Sequence, residues 1–308
     1  MKILLVSGFL GAGKTTFIRH LAEKTGKRFV VLENEFGEAG IDRELLIANN
    51  EDAFSPDAVW ELAEGCICCS MKGDFAASVL TIANALNPEI LVVEPTGLGL
   101  LGNIVANLRK IQYERIILLA PVTLVDARLL ERGMAEHPQI FADQIRSASR
   151  ILLSKAEGLS PGERQNKANL LRELNPHAMI QTSPYQDNPE DWWQGLFGDS
   201  HGQPLVSEEM DVPPPDFESA GFTDASFPSG AHLLCFLQNV VAGAFGGIYR
   251  AKGVVAVGKG AALRFDVVCG RYSVTGAANE RIHKTVFIGQ NLKRELLRKS
   301  FSRMPLTC

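Results

Sequence analysis

The residues with the clearest chemistry stand near the start of the chain. The run from Gly8 to Thr15 reads Gly-Phe-Leu-Gly-Ala-Gly-Lys-Thr, which fits the spacing G-x-x-x-x-G-K-[ST]. Glycines let successive backbone N–H groups point at phosphate oxygens, the lysine reaches the β and γ oxygens, and the threonine hydroxyl ligates Mg²⁺. An ordinary glycine turn is the alternative, and the Lys-Thr pair between a strand and a helix disfavours it. The predicted phosphate-binding residues are Gly8, Gly11, Ala12, Gly13, Lys14, Thr15 and Thr16.

A site of this kind needs an acidic group at the end of a neighbouring strand to hold the Mg²⁺ water shell. The apolar run 90–93 is followed by Glu94, Pro95, Thr96 and Gly97. We assign Glu94 to the metal side, with Lys14 and Thr15 as its catalytic partners, and the amide of Gly97 to the γ-phosphate. A surface carboxylate before a proline turn is the alternative.

A third segment has the position of a base-reading loop. The predicted strand 150–153 is followed by Ser154, Lys155, Ala156 and Glu157, where a GTPase has Asn-Lys-x-Asp. Glu157 offers only acceptors, which suits the N–H donors of guanine better than the unprotonated ring nitrogen of adenine. Ser154 is shorter than Asn, so we expect weaker discrimination of the base. A solvated polar loop is the alternative.

Three cysteines, Cys66, Cys68 and Cys69, stand within four positions. Three thiolates can bind a soft or borderline cation and leave the fourth tetrahedral position open, an arrangement that suits transfer of the metal. A redox pair and a set of three buried small side chains are the alternatives.

An acidic, glycine-containing segment, 33–42, follows the strand after the first helix. Its residues Glu35, Glu38 and Asp42 could bind Mg²⁺, help to activate water or complete the thiolate site. A solvated acidic loop is equally consistent with any one of them.

Composition limits the classes of partner. The chain has 308 residues, 46% hydrophobic and 21% charged, with a formal net charge of −4. These values are typical of a globular protein and provide no basic surface for nucleic acid or anionic lipid. The apolar runs 3–6, 116–125 and 233–245 are too short or too interrupted for a signal peptide or a membrane span. We therefore expect a cytoplasmic protein whose cysteines are reduced.

The elements that position these residues follow an α/β pattern. Short β-branched runs alternate with amphipathic stretches, which predicts a P-loop NTPase fold: a mostly parallel sheet with helices on both faces. A helix is indicated from Phe75, and Ser160 begins a capping box for another. The predicted strands of this part are 2–7, 28–33, 90–94, 116–126, 149–154 and 178–182.

The second part of the chain is predicted to be a smaller α+β domain. Prolines accumulate and periodicity is lost after Pro184, so we divide the chain into a P-loop domain (1–190), a proline-rich linker (191–228) and a C-terminal domain (229–308). Strands near 219–226, 249–257, 262–268, 272–275 and 285–288, with helices near 231–242 and 292–301, are expected here.

Together these motifs resemble the CobW family of metal-handling GTPases, relatives of the nickel-insertion GTPases of urease and hydrogenase. The most specific likeness is Gly-Cys-x-Cys-Cys after an Asn-Glu-x-Gly-Glu segment. Arg250 to Gly253 and Val286 to Gly289 resemble the small C-terminal domain of the family. The segments that carry the likeness in the first domain are Gly8–Thr15, Asn34–Asp42, Gly65–Cys69, Glu94–Gly97, Val122–Ala127 and Ser154–Glu157.

The resemblance implies slow GTP hydrolysis with Mg²⁺, coupled to delivery of Zn²⁺ or Co²⁺ to a client metalloprotein or a cofactor-assembly protein, as in cobalamin biosynthesis. The resemblance does not decide whether the chain forms a homodimer. Three departures limit it: Ser154 and Glu157 replace Asn and Asp, Pro95 replaces a hydroxyl residue, and the histidine-rich tract of many members is missing. Two other hypotheses remain: a nucleotide-gated metal sensor or adaptor with negligible turnover, and an ATP-using ATPase or kinase.

Overall fold

The first strand of the chain lies inside a parallel sheet. In a computed structural model, which describes residues 1–33, 59–61, 72–198, 217–258, 261–277 and 283–301, strand β1 (Lys2–Gly8) pairs with strands on both sides. Among the described residues the strand order is β3-β2-β4-β1-β6-β7-β8, with β5 also paired to β1, and every pairing is parallel. The other strands are β2 (Val30–Glu33), β3 (Val59–Glu61), β4 (Ile90–Glu94), β5 (Ile117–Leu118), β6 (Val122–Asp126), β7 (Arg150–Ser154) and β8 (Met179–Gln181).

Helices cover both faces of this sheet. Leu4 and Val6 of β1 belong to a core that includes residues of the first helix, whereas Ile3 and Leu5 belong to a second core on the opposite face. This alternation explains why β1 is apolar throughout. The helices of this unit are α1 (Lys14–Thr25), α2 (Lys72–Ala85), α3 (Leu101–Lys110), α4 (Leu130–Glu136), α5 (Pro138–Arg146), α6 (Pro161–Leu174) and α7 (Glu190–Gly195).

A second compact unit contains an antiparallel sheet. Its strand order is β13-β12-β11-β14-β9, and β10 pairs in parallel with β11. Helix α8 contributes Leu233, Phe236 and Leu237 to a core rich in phenylalanine. The elements are β9 (Glu218–Thr223), β10 (Ser226–Phe227), α8 (Gly230–Val241), β11 (Gly247–Val257), β12 (Ala261–Val268), β13 (Arg271–Gly276), β14 (Lys284–Gln290) and α9 (Arg294–Ser300).

The predicted fold class is confirmed, and several details differ. The predicted strand 116–126 is divided into β5 and β6, because Pro121 has no backbone N–H and its carbonyl instead accepts from Ser149 and Arg150. Both ends of the predicted linker, 191–228, lie in regular elements: most of α7 at one end, and β9 with β10 at the other. The capping box at Ser160 is present as predicted.

Helices α3, α4, α5 and α7 were not predicted. The spacing of Leu101, Ile104, Val105 and Leu108 on α3 is amphipathic, and all four are buried. Across the residues that the structure describes, no helix is long and apolar enough to cross a membrane.

Candidate nucleotide site

The phosphate loop occupies the turn from β1 into α1. Gly8, Gly11 and Gly13 have φ angles of +144°, +72° and +98°, backbone conformations that residues other than glycine rarely adopt. A Cβ atom at Gly8 would also overlap the carbonyl oxygen of Leu124 in the adjacent strand β6. The backbone conformation therefore requires glycine at these three positions of the motif.

The beginning of α1 is available to an anion. Gly13 is the N-cap residue, and in the described part of the chain no side chain caps it and no acidic residue stands in the first turn. The backbone N–H groups of the first turn and the helix dipole therefore favour negative charge at this point. Thr16 is exposed in this first turn.

The structure brings Lys14, Thr15 and Glu94 together. The Thr15 hydroxyl lies 3.3 Å and 3.2 Å from the two carboxylate oxygens of Glu94, and Lys14 Nζ lies 3.8 Å from Glu94 Oε1. Only 9% of the Lys14 side chain and 12% of the Glu94 side chain are exposed. Hydroxyl and carboxylate oxygens are ligands that Mg²⁺ prefers, so this donor set fits that cation.

Topology explains the convergence. Strand β4 lies directly beside β1 on one side, and the later strand β6 lies on the other side. The strand order therefore changes direction at β1, which opens a crevice at the carboxyl ends of these strands. Glu33, at the end of β2, is in register with both Glu94 on β4 and Glu61 on β3. Three neighbouring strands therefore end in glutamate at the same edge of the sheet.

The turn after β4 packs closely on the phosphate loop. A Cβ atom built on Gly97 would lie 2.5 Å from the backbone nitrogen of Leu10 and 2.9 Å from its Cα. A side chain at this position would therefore push the turn away from the loop. Gly97 is close enough to the loop for its amide to be a candidate γ-phosphate donor.

The predicted base-reading residues divide into two groups. The Ser154 hydroxyl donates to the carbonyl of Ala12 over 2.7 Å, and the Lys155 ammonium donates to the carbonyl of Gly11. Both side chains therefore support the phosphate loop. Glu157 is exposed, two residues beyond Lys155.

Asp126, at the end of β6, was missed by the sequence reasoning. It accepts from the backbone N–H of Arg128 at 2.9 Å, pairs with the Arg128 guanidinium at 3.3 Å, and lies 3.1 Å from Lys155 Nζ. Burial raises the pKa of Asp126, but the Arg128 hydrogen bonds and the Lys155 charge outweigh it and leave the pKa below its usual value. The signal in the sequence was a carboxylate ending the apolar run 122–125.

The predicted metal ligands Cys66, Cys68, Cys69, Glu35, Glu38 and Asp42 lie outside the described residues. Among the residues described, no three His, Cys, Asp or Glu side chains converge as a metal site. Of the other cysteines, Cys235 is exposed and Cys269 is buried.

The family follows from two matches along the chain. Residues 2–182 match the CobW/HypB/UreG nucleotide-binding domain, and residues 217–304 match the cobalamin synthesis protein CobW C-terminal domain. The chain belongs to the CobW/HypB/UreG family. The predicted resemblance is thereby confirmed, and the phosphate loop and Glu94 both lie within the matched nucleotide-binding domain.

Curated members of the family are similar over different lengths. The zinc chaperone YjiA of Escherichia coli is 28% identical over 323 residues, and the alignment covers 97% of each chain. The zinc chaperone CobW of Sinorhizobium sp. is 32% identical over 178 residues, or 50% of each chain. The zinc chaperone YeiR of E. coli is 36% identical over 164 residues, and the match spans 48% of its length. Among solved structures, zinc-bound YjiA GTPase from E. coli aligns at 24% identity over 97% of each chain, with a TM-score of 0.46.

Proposed function

We propose that this chain is a GTPase of low turnover whose nucleotide state is coupled to a transition-metal site on Cys66, Cys68 and Cys69, and that it delivers the metal to a client protein. The convergence of Lys14, Thr15 and Glu94 beside the phosphate loop is the observation that supports nucleotide binding. Relatives named zinc chaperones, and the affinity of thiolates for zinc, support the metal half.

The residues of the nucleotide site have separable tasks. The glycine-rich backbone and Lys14 hold the β- and γ-phosphates, and the amide of Gly97 donates to the γ-phosphate. Thr15 and Glu94 hold Mg²⁺. When bound, the cation neutralises charge on the phosphate oxygens. Because Glu94 contacts both Lys14 and Thr15, it competes with phosphate for the Lys14 ammonium.

Selection of the base rests on a smaller set of contacts. Ser154 and Lys155 are bonded to the phosphate loop, which leaves Glu157 as the acceptor for the guanine donors. We therefore propose preference for GTP over ATP, weaker than that of a GTPase with the complete motif.

Coupling to the metal is supported by the sheet. The acidic segment starts at Glu33, and Cys66 follows Glu61 by five positions. Glu33 and Glu61 are in register at the carboxyl edge of the sheet, and Glu33 is also in register with Glu94. The chain thus enters both candidate metal segments from the edge that holds the proposed Mg²⁺ carboxylate. Glu35, Glu38 and Asp42 are the proposed additional ligands.

Phosphate release, measured with GTP or ATP and with the chain metal-free or loaded with Zn²⁺ or Co²⁺, tests the proposal. We expect slow, Mg²⁺-dependent release from GTP that changes when the thiolate site is loaded. Equal or faster release from ATP would refute the proposed base selection. Single-turnover hydrolysis that is negligible in every metal state would favour the sensor hypothesis instead.

The client and the assembly are further parts of the proposal. We propose a cytoplasmic client metalloprotein or cofactor-assembly protein, with the C-terminal domain (229–308) as the contact surface and the domain at 1–190 as the GTPase. Gel filtration with and without GTP tests whether a homodimer forms.

A further inference from the structure

Two adjacent buried polar residues on helix α5 hold the segment that follows β4. Gln144 is 2% exposed, and its Nε2 donates to the carbonyls of Gly97 at 3.1 Å and Gly99 at 3.0 Å. Both partners are acceptors, so the amide must present its nitrogen, and both hydrogens of that nitrogen are used. The side chain therefore fixes two peptide groups within three positions of the chain.

The neighbouring residue holds the end of the same segment. Asp143, also 2% exposed, accepts from the backbone N–H of Gly102 at 3.2 Å, at the start of α3. The backbone carbonyl of Gln144 accepts from the Thr123 hydroxyl at 3.2 Å, which ties this turn of α5 to strand β6. Segment 97–102 is thus anchored at both ends to a helix that is itself anchored to the sheet.

The phosphate loop lies on the other side of this segment. Gly97 touches the backbone of Leu10 so closely that a Cβ atom would not fit. Gly97 therefore lies between the phosphate loop and the amide of Gln144. The three glycines at 97, 99 and 102 leave the segment with wide conformational freedom unless an outside group restrains it.

We infer that Gln144 is a positioning residue that keeps Gly97 where its amide meets the γ-phosphate, and that it thereby sets the preference for GTP over GDP. This inference rests on the proposed function, in which Gly97 contacts the γ-phosphate. GDP lacks that phosphate and is held by the phosphate loop, which Gln144 does not hydrogen-bond in the described structure. Loss of the restraint lowers the fraction of chains with Gly97 in place, and apparent GTP affinity falls with that fraction.

The test compares the affinity for a non-hydrolysable GTP analogue with the affinity for GDP. Gln144→Met keeps the length of the side chain and removes both donors. In this variant we expect the ratio of the affinity for the GTP analogue to the affinity for GDP to fall by about tenfold. Gln144→Asn keeps the amide but shortens its reach, and we expect a fall in the same direction. It provides the measurement if the methionine variant does not fold.

A matched control is the buried amide of Asn175, which directly follows α6 and bonds the C-terminal end of α5. Asn175 is 4% exposed, and its Nδ2 donates to the carbonyls of Ile145, Arg146 and Ala148 at 2.8, 3.1 and 2.9 Å. Asn175→Leu removes a comparable buried amide without touching segment 97–102. It should lower the melting temperature and leave the affinity ratio unchanged.

Gly97→Ala separates this inference from the function on which it rests. If Gly97→Ala leaves the ratio at its wild-type value, Gly97 does not read the γ-phosphate and that part of the proposed function fails. If Gly97→Ala lowers the ratio and the Gln144 variants do not, the inference about Gln144 fails alone. Equal falls in Gln144→Met and Asn175→Leu would also overturn it, because the effect would then follow from general loss of stability.

Discussion

The charge of Glu94 should determine how strongly nucleotide binding depends on magnesium. Glu94 lies 3.8 Å from Lys14 and within hydrogen-bond distance of Thr15. In the absence of Mg²⁺ this carboxylate competes with phosphate for Lys14 and repels the phosphate charge. Glu94→Gln removes both effects and, at the same time, a carboxylate that holds the cation. The affinity for nucleotide in EDTA should therefore rise, and the factor by which Mg²⁺ increases that affinity should shrink.

The size of the change follows from the ion pair. Two unit charges at 3.8 Å attract by about 4 kcal/mol at an effective dielectric constant of about 20. Desolvation of two side chains that are only 9% and 12% exposed offsets a large part of that energy. A net change of about 1.5–3 kcal/mol corresponds to roughly a tenfold to hundredfold smaller Mg²⁺ enhancement of nucleotide affinity.

Fluorescence titration of labelled GDP and of a labelled GTP analogue, in saturating Mg²⁺ and in EDTA, measures this quantity. Glu89→Gln is the matched control, because Glu89 is exposed immediately before β4, at the end of the strand opposite Glu94. We expect that control to keep the wild-type enhancement. If Glu94→Gln also keeps it, Glu94 does not hold the cation and the assignment of the site is wrong.

Three further predictions concern the scaffold of the site. Burial raises the pKa of Asp143 to about 6, so the folded chain binds more protons than the unfolded chain between about pH 4 and pH 6; its free energy of unfolding should fall by about 2–3 kcal/mol as the pH rises through that window. In denaturant titrations, the free energy of unfolding of Asp143→Asn should not fall over this pH window. A fall as large as that of the wild type would contradict the prediction. Trp193→Ala, at a side chain with 0% exposure, should cost about 3–5 kcal/mol in the same assay; a cost near zero would mean that α7 is not part of the core. In Gly133→Ala the new methyl group would overlap the Phe141 ring, so we expect a loss of about 1–3 kcal/mol that Phe141→Leu partly restores.

The centre of the site could be predicted because its residues are close in sequence. Gly8 to Thr15 form one motif, and a buried strand before it and an amphipathic helix after it determine where the loop must lie. Glu94 could be added because parallel strands in an α/β sheet end at one edge. Both inferences depend on local spacing and on one topological rule.

The residues that brace the site could not be found in the same way. The hydrogen bond from Gln144 to Gly97 spans 47 positions, and nothing in the local pattern around Gln144 distinguishes it from a surface glutamine. Asp126 is braced by Arg128 and Lys155, a pairing that depends on the neighbouring ends of β6 and β7. Such contacts follow from tertiary packing rather than from periodicity.

The predicted start of the linker lies in a packed helix. Proline and the loss of periodicity suggested a linker from residue 191, yet Trp193 is fully buried and its ring lies 5.3 Å from that of Phe17 in α1. A pair of tryptophans at 192–193 was the signal that could have extended the first domain, because large aromatic side chains contribute strongly to packing.

The coupling between nucleotide and metal is the central claim, and reciprocal titration tests it most directly. Zn²⁺ affinity is measured with and without a GTP analogue and Mg²⁺, and affinity for the analogue is measured with and without Zn²⁺. Coupled sites must change each other's affinity by the same factor. We expect one common factor different from unity, which Cys66→Ala and Cys68→Ala abolish while affinity for the analogue alone is retained. Zn²⁺ and nucleotide affinities that are each independent of the other ligand would contradict the account.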